Sequence, residues 1–372
     1  MIIGVLKEIK NEENRVSMTP AGVEIAVENG HRVLIEKKAG VSSGFYDIDY
    51  KKAGGEIVAK ASNIYKQAGM ILHVKEPQPS EYQLIREDQV VFTFLHLAAS
   101  KDLTRALVKS RSVCIAYETI QKKDGSLPIL TPMSEVAGRM SVLEGAKYLE
   151  MPHGGEGVLL GGVPGVDPGT VIVIGGGVAG QNAAKTACGL GAKVYLLENR
   201  LERLRYLSDV MPKNCFLYVS SPSTIRKFLA EADLVIGAVL IPGAKAPKLV
   251  SRSMLKKMKK GAVLVDIAID QGGCFETSKP TTHSDPVYVV DGIVHYCVNN
   301  MPGAVPKTST CALTNATLPY VLEIANKGWK KAACENQGIR LGLNLVKGNI
   351  TCKGVAEAFN MKFSEVESML CT

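Results

Sequence analysis

The sequence lacks the features that mark membrane, secreted and nucleic-acid-binding proteins. Its 372 residues contain no run of about 18 apolar residues, the length that a membrane helix requires. The N-terminus has no basic segment and no small-residue cleavage site, so no signal peptide is predicted. Aromatic residues make up only 6% of the chain and are not interleaved with arginine, which argues against a platform for single-stranded nucleic acid. We therefore expect neither a membrane nor a nucleic acid as a partner.

Metal-binding and disulfide patterns are also missing. Nine cysteines are scattered along the chain without a C-x-x-C pair, which argues against a disulfide framework and a structural zinc site. His283 and His295 have no potential ligands at metal-binding spacing, and His73 is predicted to be packed within its strand. No metal is expected. Such cysteine usage is typical of a reducing compartment, so the predicted location is cytoplasmic.

Positive charge is in excess, with a formal net charge of +8, but it is dispersed. The one dense run, Lys-Lys-Met-Lys-Lys at residues 256–260, comes just before an apolar strand. The favoured interpretation is a solvated helix end whose cations interact with the helix dipole. A phosphate-binding patch is the alternative.

The length fits two domains, and 46% hydrophobic with 22% charged residues is typical of a globular protein. In the first third, short runs rich in Val and Ile alternate with amphipathic stretches such as residues 22–29, for which Thr19 and Pro20 supply the cap and the first turn. This alternation indicates parallel βαβ units. The strands predicted here are residues 2–6, 32–36, 70–74, 90–95 and 112–116.

A long helix is predicted for residues 134–149, and the glycine-rich segment 154–169 is interpreted as the crossing between domains. Strand–helix alternation then resumes, and residues 310–326 and 330–346 are predicted to be helical, packed on either domain. The predicted fold is α/β, with two doubly wound Rossmann-like domains that have parallel sheets and are separated by a cleft. Strands of the second domain are predicted at residues 171–174, 193–197, 234–238, 263–267, 287–290 and 294–297.

The sharpest motif is the turn Gly175-Gly-Gly177-Val-Ala-Gly180, which follows the run Val-Ile-Val-Ile and opens an Ala-rich stretch. Gly175 permits the tight turn, Gly177 lets the backbone approach a pyrophosphate, and Gly180 lets helix and strand pack closely. The amides and dipole at the helix start attract phosphate charge. A lone G-x-G-x-x-G is weak evidence, but the strand before it and the helix after it predict a dinucleotide site.

Glu198 ends the next predicted strand. A carboxylate there accepts hydrogen bonds from the adenosine ribose and repels a 2′-phosphate, so NAD is favoured over NADP. Arg200 and Arg203 follow closely and weaken that preference, because an arginine can bind a 2′-phosphate.

Ligands of doubly wound sheets bind beyond the carboxyl ends of the strands. Lys75, His96 and Asp270 each follow an apolar strand, and Arg15 lies in the charged loop after the first strand. Arg15 and Lys75 suit a substrate carboxylate, whereas His96 suits proton exchange near neutral pH. Asp270 suits a substrate ammonium group or acid–base work. The set fits an amino or keto acid.

Each of these residues also has a structural interpretation. Arg15 can pair with Glu12 or Glu13, and Lys75 can be a surface residue. A lone histidine at a strand end is often structural, and Asp270 can cap the turn that follows it. The functional interpretation is favoured because three of the four residues end strands at the edge where ligands bind.

Several long segments are distinctive: Asp266-Ile-Ala-Ile-Asp270-Gln-Gly-Gly-Cys274, Asn300-Met-Pro-Gly-Ala-Val-Pro306 and Thr314-Asn-Ala-Thr-Leu-Pro-Tyr320. Others are Gly4-Val-Leu-Lys-Glu-Ile, His73-Val-Lys75-Glu-Pro77, Leu95-His96-Leu-Ala98 and Gly161-Gly-Val-Pro-Gly165. With these segments nearly the whole chain resembles the bacterial alanine dehydrogenase family. That family is related to the NAD-binding part of proton-translocating transhydrogenase and to saccharopine dehydrogenase.

The resemblance implies reversible, NAD-dependent oxidative deamination of L-alanine to pyruvate and ammonium. In that reaction Arg15 and Lys75 bind the substrate, and His96 and Asp270 serve in proton transfer. A substrate domain of residues 1–133 and 307–372, an NAD-binding domain of residues 134–306 and a homo-hexamer are also implied. The implied NAD contacts are Ser134, Gly175, Gly177, Val178, Ala179, Gly180, Glu198, Arg203, Ser220, Val239, Leu240, Ile267, Ala268, Ile269, Asp270, Val298, Asn299, Asn300 and Met301.

Three alternatives stay open at this point. They are the transhydrogenase NAD-binding component, a saccharopine- or lysine-type dehydrogenase with room for a long substrate, and a non-catalytic NADH-binding protein. The intact catalytic set argues against the last. Two positions depart from the family pattern: Glu198 stands where relatives usually have Asp, and Glu156 stands where they often have a basic residue.

Overall fold

The computed structural model describes residues 1–239 and 246–370. The chain divides into two compact units: Met1–Met133 with Val305–Thr372, and Ser134–Ala304. Each unit contains one β-sheet. Within the described residues, no helix is long and apolar enough to cross a membrane.

Among the described residues, the first sheet has eight strands and the second has seven. In chain order the strands are β1 (Ile2–Val5), β2 (Arg32–Glu36), β3 (Glu56–Val58), β4 (Met70–Leu72), β5 (Val90–Thr93), β6 (Val113–Ala116), β7 (Thr170–Ile174), β8 (Lys193–Glu198), β9 (Cys215–Val219), β10 (Leu234–Gly237), β11 (Val263–Asp266), β12 (Val287–Val290), β13 (Ile293–Tyr296), β14 (Leu343–Val346) and β15 (Asn349–Ile350).

Helices connect most of these strands. The first begins where the sequence predicts, because Thr19 Oγ1 accepts a hydrogen bond from the Gly22 amide at 3.2 Å and Pro20 lies in the first turn. In chain order the helices are α1 (Pro20–Glu28), α2 (Asp47–Lys52), α3 (Ala61–Gln67), α4 (Lys101–Ser110), α5 (Leu130–Tyr148), α6 (Val178–Gly189), α7 (Leu201–Val210), α8 (Pro222–Leu229), α9 (Arg252–Leu255), α10 (Pro306–Lys327), α11 (Trp329–Glu335), α12 (Gln337–Gly342), α13 (Lys353–Phe359) and α14 (Glu367–Leu370).

Both sheets reverse their strand order beside their first strand. The order is β15-β14-β6-β5-β4-β1-β2-β3 in the first sheet and β12-β13-β11-β10-β7-β8-β9 in the second. Strands β1 to β6 pair in parallel, and so do β7 to β11 with β13. The switch points therefore lie between β1 and β4 and between β7 and β10, where such sheets bind ligands. The predicted α/β fold with two doubly wound domains is confirmed.

Both faces of each sheet are covered. In the first sheet, Leu34 and Ile35 are neighbours on β2 and are both buried, yet they pack into different hydrophobic clusters. Ile71 and Leu72 on β4 divide in the same way. Successive side chains of a strand point to opposite faces. The uniformly apolar strands thus fit a sheet that is buried on both sides.

The prediction of purely parallel sheets and of a helix over residues 330–346 is wrong in part. Helix α11 ends at Glu335 and α12 ends at Gly342. Residues Leu343–Val346 then form β14, whose four residues are all buried. β14 pairs antiparallel with β6 and β15, and β12 pairs antiparallel with β13. These antiparallel strands lie at one edge of each sheet, and short turns join β12 to β13 and β14 to β15, as antiparallel pairing permits.

The position of the domain crossing also differs from the expectation based on glycine content. The chain passes from one unit to the other within α5, between Met133 and Ser134. The glycine-rich segment 154–169 lies inside the second unit, where the Gly157 amide donates to the Leu149 carbonyl at 2.8 Å and the Glu156 amide to the Gly261 carbonyl at 3.2 Å. A continuous helix gives no compositional signal of a boundary.

Glu156 belongs to a charged cluster at the amino edge of the second sheet. Asp233 accepts a hydrogen bond from the Thr170 amide at 2.6 Å and forms an ion pair with Lys259. Burial of Glu156, together with the charge of Asp233 and a hydrogen bond to it, raises the pKa of Glu156 from 4.5 to about 7. Glu156 therefore keeps its proton up to a higher pH than an exposed glutamate does.

Replacing Glu156 by glutamine should stabilise the protein above neutral pH. A raised folded-state pKa contributes stability below the unfolded value of 4.5, and this contribution is lost as the pH rises through about 7. Because Glu156 is partly solvated, we expect a gain of about 1 kcal/mol at pH 8 that shrinks towards pH 5. Urea unfolding of Glu156→Gln beside the exposed control Glu231→Gln measures it. A gain in the free energy of unfolding that does not depend on pH would contradict the raised pKa of Glu156.

Candidate active site

The residues predicted to contact NAD lie mostly at one edge of the second sheet. The parallel strands of that sheet all end there, so the segments that follow them converge. Ser134 lies instead on α5, at the start of the unit, and Leu240 is outside the described residues. Residues 175–180 follow β7, Glu198 ends β8, Ser220 follows β9, Val239 follows β10, residues 267–270 follow β11 and residues 298–301 follow β13.

The glycine turn after β7 has two kinds of glycine. Gly175 has a φ of +104°, and a Cβ on Gly180 would lie 1.8 Å from the Gly175 carbonyl oxygen. These two glycines are required by the fold itself. A Cβ on Gly177 would meet no protein atom within 4 Å, although Gly177 caps the amino end of α6. The space beside Gly177 and the amides of α6 therefore fit a phosphate group.

Glu198 lies against this turn. Only 5% of the residue is exposed, and its carboxylate accepts hydrogen bonds from the Gly176 amide at 3.0 Å and the Arg200 amide at 2.9 Å. Arg203 donates to the Gly176 carbonyl at 2.7 Å and to Gln181 at 2.7 Å. The acidic residue and the turn are thus held as one unit, an arrangement that fits a ribose next to a pyrophosphate.

The loop after β11 is organised by Asp266, which is fully buried. Its carboxylate accepts hydrogen bonds from the Ala268 amide at 3.1 Å, the Cys274 amide at 2.8 Å and the Ser278 hydroxyl. Burial raises the pKa of Asp266, and these hydrogen bonds oppose that rise. The short turn Ile267–Gln271 carries Asp270, which is exposed. Asp266 therefore fixes the loop that presents Asp270.

Arg15, in the loop after β1, is almost completely buried and forms a two-pronged pair with Glu13. Arg15 Nε lies 2.7 Å from Glu13 Oε1, and Nη2 lies 2.6 Å from Oε2. Arg15 Nη1 contacts Met133 Sδ at 3.0 Å. Burial alone would raise the pKa of Glu13, but hydrogen bonds and charge from Arg15, with a contribution from Lys75, lower it to about 2. The structural alternative for Arg15, pairing with Glu13, is thus present, and this pair uses the Nε and Nη2 groups of the guanidinium.

Lys75 follows β4, the neighbour of β1, and its backbone is held from both sides. The Lys75 amide donates to Glu8 Oε2 at 3.3 Å, and Thr93 Oγ1 donates to the Lys75 carbonyl at 2.8 Å. The influence of Lys75 on the pKa of Glu13 places its ammonium group near the Arg15 pair. Two cations therefore lie at the switch point of the first sheet.

His96 follows β5 in a left-handed turn. Its φ is +46°, and its amide donates to Glu118 Oε1 at 2.7 Å while the Leu95 amide donates to Glu118 Oε2 at 3.2 Å. The imidazole is stacked on the Phe94 ring, with centroids 5.8 Å apart. Non-glycine residues rarely adopt this backbone, so the two amide contacts to Glu118 stabilise it. The exposed imidazole is presented at the carboxyl edge.

The first sheet thus brings Arg15, Lys75 and His96 to one edge, after the adjacent strands β1, β4 and β5. Asp270 lies at the carboxyl edge of the other sheet, in the second unit. Among the described residues, no group of three or more His, Cys, Asp or Glu side chains could hold a metal ion.

Sequence reasoning named Glu13 as a possible partner of Arg15 but missed the other carboxylates that hold these residues in place, namely Glu8, Glu118 and Asp266. Glu118 follows β6 and Asp266 ends β11, whereas Glu8 and Glu13 follow β1. The strand-end rule that identified Lys75 would have found them if every acidic residue after a strand had been considered.

Two family models cover most of the chain. The alanine dehydrogenase/PNT N-terminal domain matches residues 4–137, and the C-terminal domain of the same family matches residues 141–353. The chain belongs to this family. The family resemblance drawn from the sequence segments is therefore confirmed.

Individual relatives agree with the family models. Alanine dehydrogenase 2 of Staphylococcus aureus (strain USA300) is 56% identical over 371 residues, which is 100% of both chains. A solved L-alanine dehydrogenase is 50% identical and superposes with a TM-score of 0.94 over 97% of this chain and 99% of its own. A transhydrogenase from Sinorhizobium meliloti, at 23% identity, has a TM-score of 0.81 over 95% of this chain and 99% of its own. That last likeness shows the fold alone.

Alanine at position 177 should impair NADH binding and spare folding. A methyl group there meets no protein atom but enters the space in front of α6. We expect the Kd for NADH to rise about tenfold, because filling a packed site costs on the order of 1–3 kcal/mol. Fluorescence titration of Gly177→Ala measures this. Gly189→Ala, also without a neighbour within 4 Å, is the control. Equal NADH affinity in the two variants would exclude a pyrophosphate at Gly177.

Proposed function

We propose that this protein is an NAD-dependent L-alanine dehydrogenase. The reaction converts L-alanine, NAD⁺ and water to pyruvate, ammonium, NADH and a proton, and it is reversible. One observation carries the proposal: Arg15, Lys75 and His96 share the ligand-binding edge of the first sheet, in a chain that is 56% identical to an alanine dehydrogenase over its whole length.

Arg15 and Lys75 bind the substrate carboxylate and carbonyl in this proposal. Glu13 occupies the Nε side of the Arg15 fork, so a carboxylate approaches from the Nη1 side, where Met133 Sδ lies. A carboxylate there forms a charge-assisted hydrogen bond with the guanidinium. The Glu13 pair keeps the guanidinium in a fixed orientation, which reduces the entropy lost on binding.

His96 carries the proton transfers. When bound, NAD accepts the hydride that leaves the substrate Cα. Water then adds to the iminium carbon of the substrate; His96 takes a proton from that water and gives a proton to the departing amine. Glu118 fixes the His96 backbone, and the stacked Phe94 ring limits rotation of the imidazole. The carboxylate of Asp270 stabilises the cationic centre of the substrate.

NAD is the preferred cofactor in this proposal. Glu198 already accepts two backbone amides and stays close to the glycine turn. A 2′-phosphate there would meet a nearly buried carboxylate, and the repulsion would be weakly screened. The longer side chain relative to aspartate does not prevent contact with the turn.

Purified protein should form NADH rapidly from L-alanine and NAD, and slowly from lysine, saccharopine or NADP. His96→Ala should lower kcat about a hundredfold or more, since general acid–base catalysis contributes that much. Absorbance at 340 nm measures it. His153 is also exposed, so His153→Ala is the matched control and should leave kcat unchanged.

One result would overturn the proposal, and a second would overturn only the role of His96. Full NADH binding without turnover of any amino acid would indicate a transhydrogenase-like binding module. Near-normal turnover of His96→Ala would remove His96 from the mechanism and leave the dehydrogenase assignment intact.

The protein is also proposed to act in the cytoplasm as a homo-hexamer. Apolar side chains are exposed in the glycine-rich segment 154–169 and just before it: Met151 is 70% exposed, Leu159 68% and Val166 64%. Monomeric proteins rarely leave such groups together in water, and exposed apolar patches mark interaction surfaces.

Charges in this segment should dissociate the assembly. Light scattering after gel filtration should give a hexamer for the native protein and a smaller particle for Leu159→Asp/Val166→Asp, because an interface does not bury unpaired charges. Asp167→Asn, in the same segment, should keep the native mass. A monomeric native protein would exclude the hexamer, and a hexameric double variant would place the interface elsewhere.

A further inference from the structure

A buried ionic network lies directly behind Lys75. His73 is 1% exposed, and its Nδ1 lies 3.1 Å from Glu8 Oε1. On the other side His73 Nε2 lies 3.1 Å from the Tyr65 hydroxyl and 3.4 Å from Glu81 Oε1. The Tyr65 hydroxyl donates to Glu81 Oε1 at 3.3 Å. The proposed reaction uses none of these groups.

The histidine in this network carries a proton. Burial alone would lower the pKa of His73, but Glu8, and then Glu81, raise it to about 9. In the protonated imidazole of His73, Nδ1 donates a hydrogen bond to Glu8 and Nε2 donates one to the Tyr65 hydroxyl. Glu8, at 7% exposure, has the His73 imidazole as an ion-pair partner in the interior.

The network ends on the backbone that carries Lys75. Glu8 Oε1 accepts a hydrogen bond from the Val74 amide at 2.7 Å, and Oε2 accepts one from the Lys75 amide at 3.3 Å. The Thr93 hydroxyl donates to the Lys75 carbonyl, so the amide and the carbonyl of Lys75 both have side-chain partners. The chain has left β4 at this point, because that strand ends at Leu72.

We infer that Glu8 and His73 are positioning residues, which set the Lys75 backbone so that its ammonium group meets the substrate carboxylate or carbonyl. This inference rests on the proposed substrate-binding role of Lys75. A buried ion pair is a poor source of stability compared with apolar residues of the same shape. The hydrogen bonds that two successive amides donate to Glu8 give a different reason for the pair, namely orientation of the segment that follows β4.

Glu36 provides an internal comparison. It is an acidic residue of the same region and accepts a hydrogen bond from the Lys7 amide at 2.9 Å. Lys7 follows β1, whereas the amides that donate to Glu8 follow β4. Burial raises the pKa of Glu36, with a contribution from Glu81. Removing its charge therefore changes the local electrostatics without releasing the Lys75 segment.

The test measures substrate affinity separately from folding and from cofactor binding. Glu8→Gln keeps the shape of the side chain but removes the charge that holds the two amides. We expect the KM for pyruvate and the Kd of oxamate for the NADH complex to rise about tenfold, with Kd for NADH unchanged. Glu36→Gln should leave all three within about twofold. His73→Gln should give a smaller rise, of about threefold, in KM and in the oxamate Kd.

Lys75→Ala separates the inference from the proposed function. If Lys75→Ala weakens oxamate binding but folded Glu8→Gln binds it normally, the positioning role is wrong and the substrate role of Lys75 stands. If Lys75→Ala itself binds oxamate normally, the proposed role of Lys75 is wrong. A fall in kcat with unchanged KM in Glu8→Gln would indicate a structural role only. Where Glu8→Gln does not fold, native KM and oxamate affinity in His73→Gln overturn the inference.

Discussion

Strand polarity is the constraint on which the rest of this molecule depends. Parallel strands all end at one edge, and each polar residue placed just after a strand is delivered to that edge. In the first unit this brings Arg15, Lys75 and His96 together from loops far apart in sequence, and in the second it brings the glycine turn beside Glu198. The order and direction of the strands therefore decide which of these side chains share an edge.

An edge only gathers side chains, and a second layer of carboxylates orients them. Glu13 holds the Arg15 guanidinium, Glu8 holds the Lys75 backbone and Glu118 holds the His96 backbone. Such groups are expensive to bury, and each is compensated by several hydrogen bonds or by a cation. The repeated use of glutamate has a simple geometric reason: one carboxylate can accept two adjacent backbone amides of a turn.

The sequence was sufficient for the fold class and for the residues at the edges, because apolar strands and the polar residues after them are local signals. It was insufficient where the deciding contacts are distant. Residues 343–346 read as helix because they continue a helical stretch, but they form β14, which buries all four residues beside β6. Glu8 and Glu118 were overlooked because their partners lie far along the chain, on the segments after β4 and β5. Local charge does not reveal that a carboxylate faces a backbone amide.

The likeness to a transhydrogenase marks the point at which fold stops determining function. At 23% identity that protein has the same architecture, with a TM-score of 0.81, so both present ligand edges at equivalent places. A doubly wound unit can bind a dinucleotide without reacting it with an amino acid. What such a fold does with a bound dinucleotide then depends on the side chains at its ligand edge. Loss of the carboxylate behind Lys75 or His96 would leave the fold and its nucleotide site intact while the substrate residues lost their alignment. Under the proposed function, the carboxylates that hold the backbones of Lys75 and His96 therefore distinguish an enzyme from a binding protein as much as Arg15, Lys75 and His96 do.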